Sequence, residues 1–349
     1  MTPAEEAMLR WMRQGRALAE RAVAGEGGRL ADVEGFGDNP GALGARVYLP
    51  EGLPPGAPLV VVLHGCTQQA AGYDRGAGWS TLAARHGFAL LYPEQQPANN
   101  ANLCFNWFRP LDIARDGGEV ASIRQMIGAT VAAHRLDPAR VFVTGLSAGG
   151  AMTMAMIATC PEMFAGAAVI AGLPYGCART PLEAIDRMAG RGMPPAATLT
   201  RTVLEASPYR GPWPLLSVWH GDADRVVAPA AAGHIVDQWR GVLGIGPAPD
   251  LVEPIGRHRR SVWRDAAGRT LIERYAIAGM DHGVPLDPDG PDGCGATGPF
   301  MLDAGISSTA VIARSWGLTG PAPSSSVRPP RHGLARLLED AARVLGLTR

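Results

Sequence analysis

The segment Gly145-Leu146-Ser147-Ala148-Gly149 follows Val141-Phe142-Val143-Thr144, a β-branched and aromatic run, and precedes the small, apolar stretch from Ala151 to Ala158. These compositions predict strand, sharp turn and helix, with the serine at the corner. A serine hydroxyl is a poor nucleophile unless it is exposed, strained and close to a base. The flanking glycines, Gly145 and Gly149, remove the Cβ atoms that would collide where strand and helix meet so tightly. Five-residue patterns also recur by accident as plain glycine-rich turns. The serine therefore needs partners elsewhere in the chain.

A serine, acid and histidine in that chain order is the arrangement this architecture carries. The acid should follow a strand after the serine, and Val218-Trp219-His220-Gly221-Asp222-Ala223-Asp224-Arg225-Val226-Val227 lies there. Asp224 is the stronger candidate, four residues into Gly-x-x-Asp-x-x-Val. Asp222 is suited to bracing the loop through backbone hydrogen bonds. Chain order leaves His234, His258, His282 and His332 as bases. His234 falls in a predicted helix, His258 in the arginine-rich hairpin Arg257-His258-Arg259-Arg260, read as a solvated turn, and His332 in a linker. His282, in Gly279-Met280-Asp281-His282-Gly283, follows the last predicted core strand, where a loop can bring imidazole to the serine. Oxyanion donors are expected at the backbone N–H of Ala148, after the serine, and of Cys66 in His64-Gly65-Cys66-Thr67-Gln68, after an early strand.

The elements that must hold these residues read as alternating β and α. Strands are expected near 43–49, 59–63, 88–92, 167–171, 215–219 and 271–277, besides the serine strand. The runs Leu-Val-Val-Val-Leu and Phe-Ala-Leu-Leu-Tyr are continuously apolar, as strands buried on both faces should be. Helices are expected from Gly78 to Arg85 and over 118–134, 229–240 and 303–316. The fold class is α/β, a doubly wound, mostly parallel sheet flanked by helices, with ligands at the carboxyl ends of the strands. The expected layout is an amphipathic helix within 1–28, a catalytic domain over 29–318 with an irregular insertion at about 175–212, a Pro/Ser linker at 319–333 and an amphipathic helix within 334–349.

Composition narrows the chemistry. All 32 cationic side chains are arginine, against 32 acids, so the formal net charge is zero and nothing recommends a nucleic-acid partner. Schiff-base, pyridoxal-phosphate and P-loop chemistry each require a lysine and are excluded. Five cysteines, Cys66, Cys104, Cys160, Cys177 and Cys294, fit no zinc spacing. No metal or cofactor is expected. No apolar run reaches the roughly 18 residues a membrane span needs. The acidic start Met1-Thr2-Pro3-Ala4-Glu5-Glu6 is unlike a secretory leader, which makes the cytoplasm the default expectation. Secretion or a periplasmic location would follow if a leader had been trimmed.

Taken jointly, Leu63-His64-Gly65-Cys66-Thr67-Gln68, Cys104-Phe105-Asn106-Trp107-Phe108, Gly145-Leu146-Ser147-Ala148-Gly149-Gly150 and Gly279-Met280-Asp281-His282-Gly283 make the chain resemble the polyhydroxybutyrate depolymerase family of esterases. That family is a branch of the α/β-hydrolases related to feruloyl and acetylxylan esterases, and the resemblance spans roughly residues 40–318. It implies a serine carboxylic-ester hydrolase with Ser147, Asp224 and His282 as the triad and Cys66 at the oxyanion hole. Substrates would be hydroxyalkanoate oligomers or short-chain esters, with a feruloyl or acetylxylan-type esterase as the alternative and an inactive binding protein on the same fold as the rival. The resemblance further implies substrate contacts at His64, Gln68 and Trp107 and two disulfides, Cys66–Cys104 and Cys177–Cys294. It leaves the oligomeric state open.

Overall fold

The computed structural model describes residues 29–319. The helices expected within 1–28 and 334–349, and the linker from residue 320 onward, lie outside these residues.

The first half of the described chain runs β1 (Ala31–Asp32), β2 (Gly44–Tyr48), β3 (Leu59–Leu63), α1 (Ala70–Ala77), α2 (Trp79–His86), β4 (Ala89–Glu94), α3 (Gly118–His134), β5 (Val141–Leu146), α4 (Ala148–Thr159) and β6 (Gly166–Ile170). The second half adds α5 (Pro181–Met188), α6 (Ala196–Ala206), β7 (Leu215–Gly221), α7 (Ala230–Leu243), β8 (Leu251–Ile255), β9 (His258–Arg264), β10 (Thr270–Ile277), β11 (Val284–Leu286), β12 (Met301–Asp303) and α8 (Ser308–Ser315).

Ten strands form one sheet in the order β1-β2-β4-β3-β5-β6-β7-β10-β9-β8. The central block from β4 through β10 is parallel. Antiparallel neighbours close both edges, β2 against β4 and the β8–β9 hairpin against β10. Every residue of β3 is fully buried, because helices cover both faces of the parallel block and leave no polar side. One apolar layer under the sheet contains Val61, Val143, Met152, Val218 and Trp239; the layer on the other face contains Val60, Val62, Tyr73, Trp79, Leu90 and Trp219. Helix α4 carries no charge and is buried along its whole length, which suits a helix enclosed in the core rather than laid on its surface.

Three departures from the sequence expectations concern elements. The segment 175–212 holds two helices, α5 and α6, rather than irregular chain; Thr180 caps α5 by accepting from the Glu183 amide, with Pro181 in the first turn. The expected helix 303–316 starts only at Ser308, since Met301–Asp303 pairs with β11 and Ser307 supplies the cap. The arginine-rich hairpin at 257–260 joins two strands of the main sheet, and His258 is buried rather than solvated. Its Nε2 meets the Ala304 carbonyl at 2.9 Å and its Nδ1 accepts from the Ala278 amide at 3.1 Å.

Candidate active site

Ser147 sits between the end of β5 and the start of α4 with φ 57° and ψ −116°, a region that side-chain-bearing residues rarely adopt. Holding it costs about 1–3 kcal/mol, stored where the surrounding structure over-determines the turn. The determinants are visible: the Ser147 amide donates to Ile170 O on β6 at 2.8 Å, and Ser147 O accepts from the Ala151 amide at 2.9 Å. A Cβ on Gly145 would lie 2.3 Å from Gly149 O, and one on Gly149 would lie 2.3 Å from Leu63 O and 2.5 Å from His64 O. Glycine is therefore required at both positions by backbone atoms that cannot give way. The second clash also shows that the elbow is pressed against the strand end leading into the His64–Gln68 loop.

The acid and the base lie at the carboxyl ends of two neighbouring strands, β7 and β10, which pair in parallel up to Gly221 and Ile277. Both side chains are buried, and His282 Nδ1 is 2.8 Å from Asp224 Oδ2. The other carboxylate oxygen, Oδ1, accepts the Val226 and Val227 amides at 2.8 and 2.9 Å. Burial alone would raise the Asp224 pKa, but His282 and His220 and the hydrogen bonds to them hold it well below the usual carboxylate range. The two loops are stapled together. Asp222 Oδ1 accepts the Gly279 amide at 2.7 Å, and the Ala223 amide donates to Met280 O at 3.1 Å. Asp281 Oδ1 accepts the amides of both Arg225 and His282, at 3.0 and 2.8 Å. Of the two competing aspartates, Asp224 thus faces the imidazole and Asp222 braces the loop.

Ala148 opens α4, so its N–H lies in the first turn, where amides have no intrahelical acceptor and the helix dipole favours an anion. The Cys66 amide has no acceptor among the described residues. Its loop is fixed on both sides of it: the Gly65 amide donates to Gln68 Oε1 at 2.9 Å, and the Thr67 amide to Asn102 O at 2.7 Å. Cys66 is joined to Cys104 by a disulfide. The Cys104–Trp107 segment is held in turn by Glu119 on α3, whose carboxylate accepts from Gln95 Nε2 at 2.6 Å, Asn106 Nδ2 at 2.7 Å and the Asn106 amide at 2.8 Å. Burial pushes the Glu119 carboxyl up to about 7 against these donors. Trp107 is buried in a small apolar cluster with Cys66, Ala148 and Leu173, and Phe108 packs edge-on against it at 5.6 Å.

Two sequence expectations are corrected here. His64 was expected to contact substrate, but it is buried: its Nδ1 lies 2.8 Å from Gly65 O, and its Nε2 accepts from the Gln95 amide at 3.1 Å. Both ring nitrogens thus hold backbone, and burial lowers the His64 pKa. Gln68, expected at the same surface, is half-buried and engages its amide oxygen inside its own loop. Cys177 and Cys294 are not bonded. Cys177 is buried among Leu173, Ala184 and Met188, where burial pushes its thiol up to about 12, whereas Cys294 lies at the end of α1 with its Sγ 3.8 Å from Ala77 O. Sequence reasoning gave no role to His220, Gln95, Glu119 or Asp281. Asp281 and Asn106 stand inside motifs already singled out, but Gln95 and Glu119 carry no local signal, since their partners are distant in the chain.

A mostly parallel sheet between helices, with a strained serine elbow, an aspartate and a histidine all at its carboxyl edge, defines an α/β-hydrolase. Residues 43–251 match the family described as Esterase PHB depolymerase. The chain is 46% identical over 293 residues to poly(3-hydroxyalkanoate) depolymerase C of Paucimonas lemoignei, a match covering 83% of this chain and 70% of that protein. It is 30% identical over 273 residues to acetylxylan esterase A of Aspergillus awamori, covering 75% and 87% of the two chains. The solved structure of acetyl xylan esterase from Aspergillus awamori superposes with a TM-score of 0.68 at 28% identity, covering 73% of this chain and 94% of that one. The chain belongs to the PHB depolymerase family of esterases and is a carboxylic-ester hydrolase.

Proposed function

We propose that the enzyme cleaves ester bonds of poly- or oligo(3-hydroxyalkanoates) through an acyl-enzyme on Ser147. The 2.8 Å Asp224–His282 contact and the strained serine elbow, both at the carboxyl edge of the sheet, carry the mechanistic part of this reading. His282 takes the Ser147 proton through the ring nitrogen opposite the one held by Asp224, and the serine oxygen attacks the ester carbonyl. The Ala148 and Cys66 amides receive the charge that develops on the carbonyl oxygen. His282 then protonates the leaving hydroxyacid alcohol, and water repeats the cycle to release the acyl chain. Trp107 forms part of the apolar wall along the ester, and residues 29–318 are the catalytic unit.

Identity to poly(3-hydroxyalkanoate) depolymerase C supports the substrate class. The acetylxylan esterase likeness favours a second reading, deacetylation of a carbohydrate ester. A panel of 3-hydroxybutyrate oligomers, methyl ferulate and acetylated xylo-oligosaccharides separates them. The hydroxybutyrate oligomers are expected to give the highest kcat/KM; higher values on acetylated sugars would transfer the assignment to the second reading. The Cys66–Cys104 bond favours an oxidising compartment over the cytoplasm. Among the described residues, no helix is long and apolar enough to cross a membrane.

A further inference from the structure

Asp224 meets two histidines. His220, at the end of β7 and buried, places Nε2 3.1 Å from Asp224 Oδ2 and 3.0 Å from Val227 O. A carbonyl oxygen can only accept, so in the neutral ring the proton sits on Nε2 and is shared between Val227 O and the carboxylate. Nδ1, buried and without a hydrogen-bond partner among the described residues, is then the bare nitrogen. Oδ2 thus receives one N–H from His282 and one from His220, while Oδ1 receives the Val226 and Val227 amides. Four donors saturate the carboxylate. The backbone at His220 is itself pinned between neighbouring strands, with Ala276 of β10 as its register partner and Trp219 stacked on Tyr275 at 3.7 Å.

We propose that His220 is a positioning residue for the reaction: its Nε2–H completes the set of four donors that hold the Asp224 carboxylate in one rotation and withdraws charge from the oxygen that faces His282. The inference rests on the reading of Ser147, Asp224 and His282 as the triad. Without this donor Oδ2 would carry the His282 N–H alone, and the carboxylate would bind the imidazolium so strongly that His282 would return its proton to the leaving alcohol less readily. With His220 in place the carboxylate has one orientation and a moderated pull. The other charged groups near this carboxylate lie in the two loops. They are Asp222, bonded to the Gly279 amide, and the exposed Arg225–Asp281 pair, which is screened by solvent.

The test compares wild type, His220→Leu and His220→Gln by the pH profiles of kcat and kcat/KM on 4-nitrophenyl butyrate. Leucine removes the donor, whereas the glutamine amide nitrogen falls near the position of Nε2. The expected result for His220→Leu is a kcat lower by about ten- to hundredfold, part of the roughly 10²–10⁴ a well-placed base contributes. Its KM is expected to stay within about twofold, and the acid limb of kcat/KM to move to higher pH, since a carboxylate relieved of one donor holds an imidazolium more tightly. His220→Gln is expected to recover most of kcat and the wild-type limb. A folded His220→Leu enzyme with unchanged kcat and acid limb would overturn the proposal. Should the leucine variant fail to fold, His220→Asn, whose amide stops short of Oδ2, must show the same loss, and wild-type behaviour there overturns the proposal equally. Peptide mapping after fluorophosphonate treatment separates the two claims. Label on Ser147 with an unaltered His220→Leu profile rejects the role of His220 alone; label on another residue in wild type rejects the triad reading and this inference with it.

Discussion

At the scale of single residues, the two aspartates of the acid loop make the sharpest contrast. Asp224 holds His282 and Asp222 holds the Gly279 amide, so equal chemical changes should have unequal effects. Asp224→Asn is expected to lower kcat by about 10⁴-fold, because the amide can present its NH₂ to His282 and select the wrong tautomer. Asp222→Asn keeps an acceptor oxygen for Gly279 and should lose no more than about tenfold. Steady-state kinetics on 4-nitrophenyl butyrate reads both, and a reversed order would exchange their roles. The lowered Asp224 pKa has a definite sign for stability. Its contribution is present above the ordinary carboxylate pKa and is lost as acid protonates the folded state. At Gly149 the constraint is steric: Gly149→Ala places a methyl 2.3 Å from Leu63 O. A loss of about 1–3 kcal/mol or more is expected in urea unfolding, because backbone rather than a side-chain tip must move.

At the scale of elements, α3 and the Cys66–Cys104 bridge together hold the proposed oxyanion loop, and Glu119 is the hub between them. Its carboxyl is raised from 4.5 to about 7 by burial. Between these values the unfolded chain gives up the Glu119 proton before the folded protein does, so stability declines as pH rises through this window and levels off above it. Glu119→Gln cannot titrate and should abolish that part of the slope, which amounts to about 3 kcal/mol at 1.36 kcal/mol per pH unit. Thermal melts of both proteins across pH check this, and parallel slopes would contradict it. The hub was not legible in the sequence. Glu119 lies on a helical stripe whose apolar members announce α3, yet its partners Gln95 and Asn106 belong to two other segments. The arginine-rich hairpin was legible as a turn, but not as strands of the main sheet, because its arginines disguise a strand whose Val262 and His258 point inward. The helices of 175–212 were hidden by glycines and prolines that turn out to flank or cap them.

At the scale of the whole molecule, the parallel block was legible because strands covered on both faces must be apolar throughout, as Leu59–Leu63 is. The order β4-β3-β5 was not, since nothing in a strand's own residues says which neighbour it pairs with. Chain order likewise singled out Asp224 and His282, which lie in contact, whereas His64 was misjudged because a histidine beside a glycine-rich loop reads alike whether it faces ligand or backbone. The zero formal net charge bears on substrate capture. No long-range field draws a neutral ester to the site, so kcat/KM on 4-nitrophenyl butyrate should change by less than about twofold between low and high salt; a steep salt dependence would reveal a charged approach path.

The central claim is that the strained serine of the β5–α4 elbow is the nucleophile. Treating the intact protein with a fluorophosphonate and mapping the modified peptide tests it directly. The account predicts one phosphonyl group per chain, on Ser147, with esterase activity lost in proportion and no labelling of Ser147→Ala. A label on any other residue, or a Ser147→Ala enzyme that retains full turnover, would contradict it.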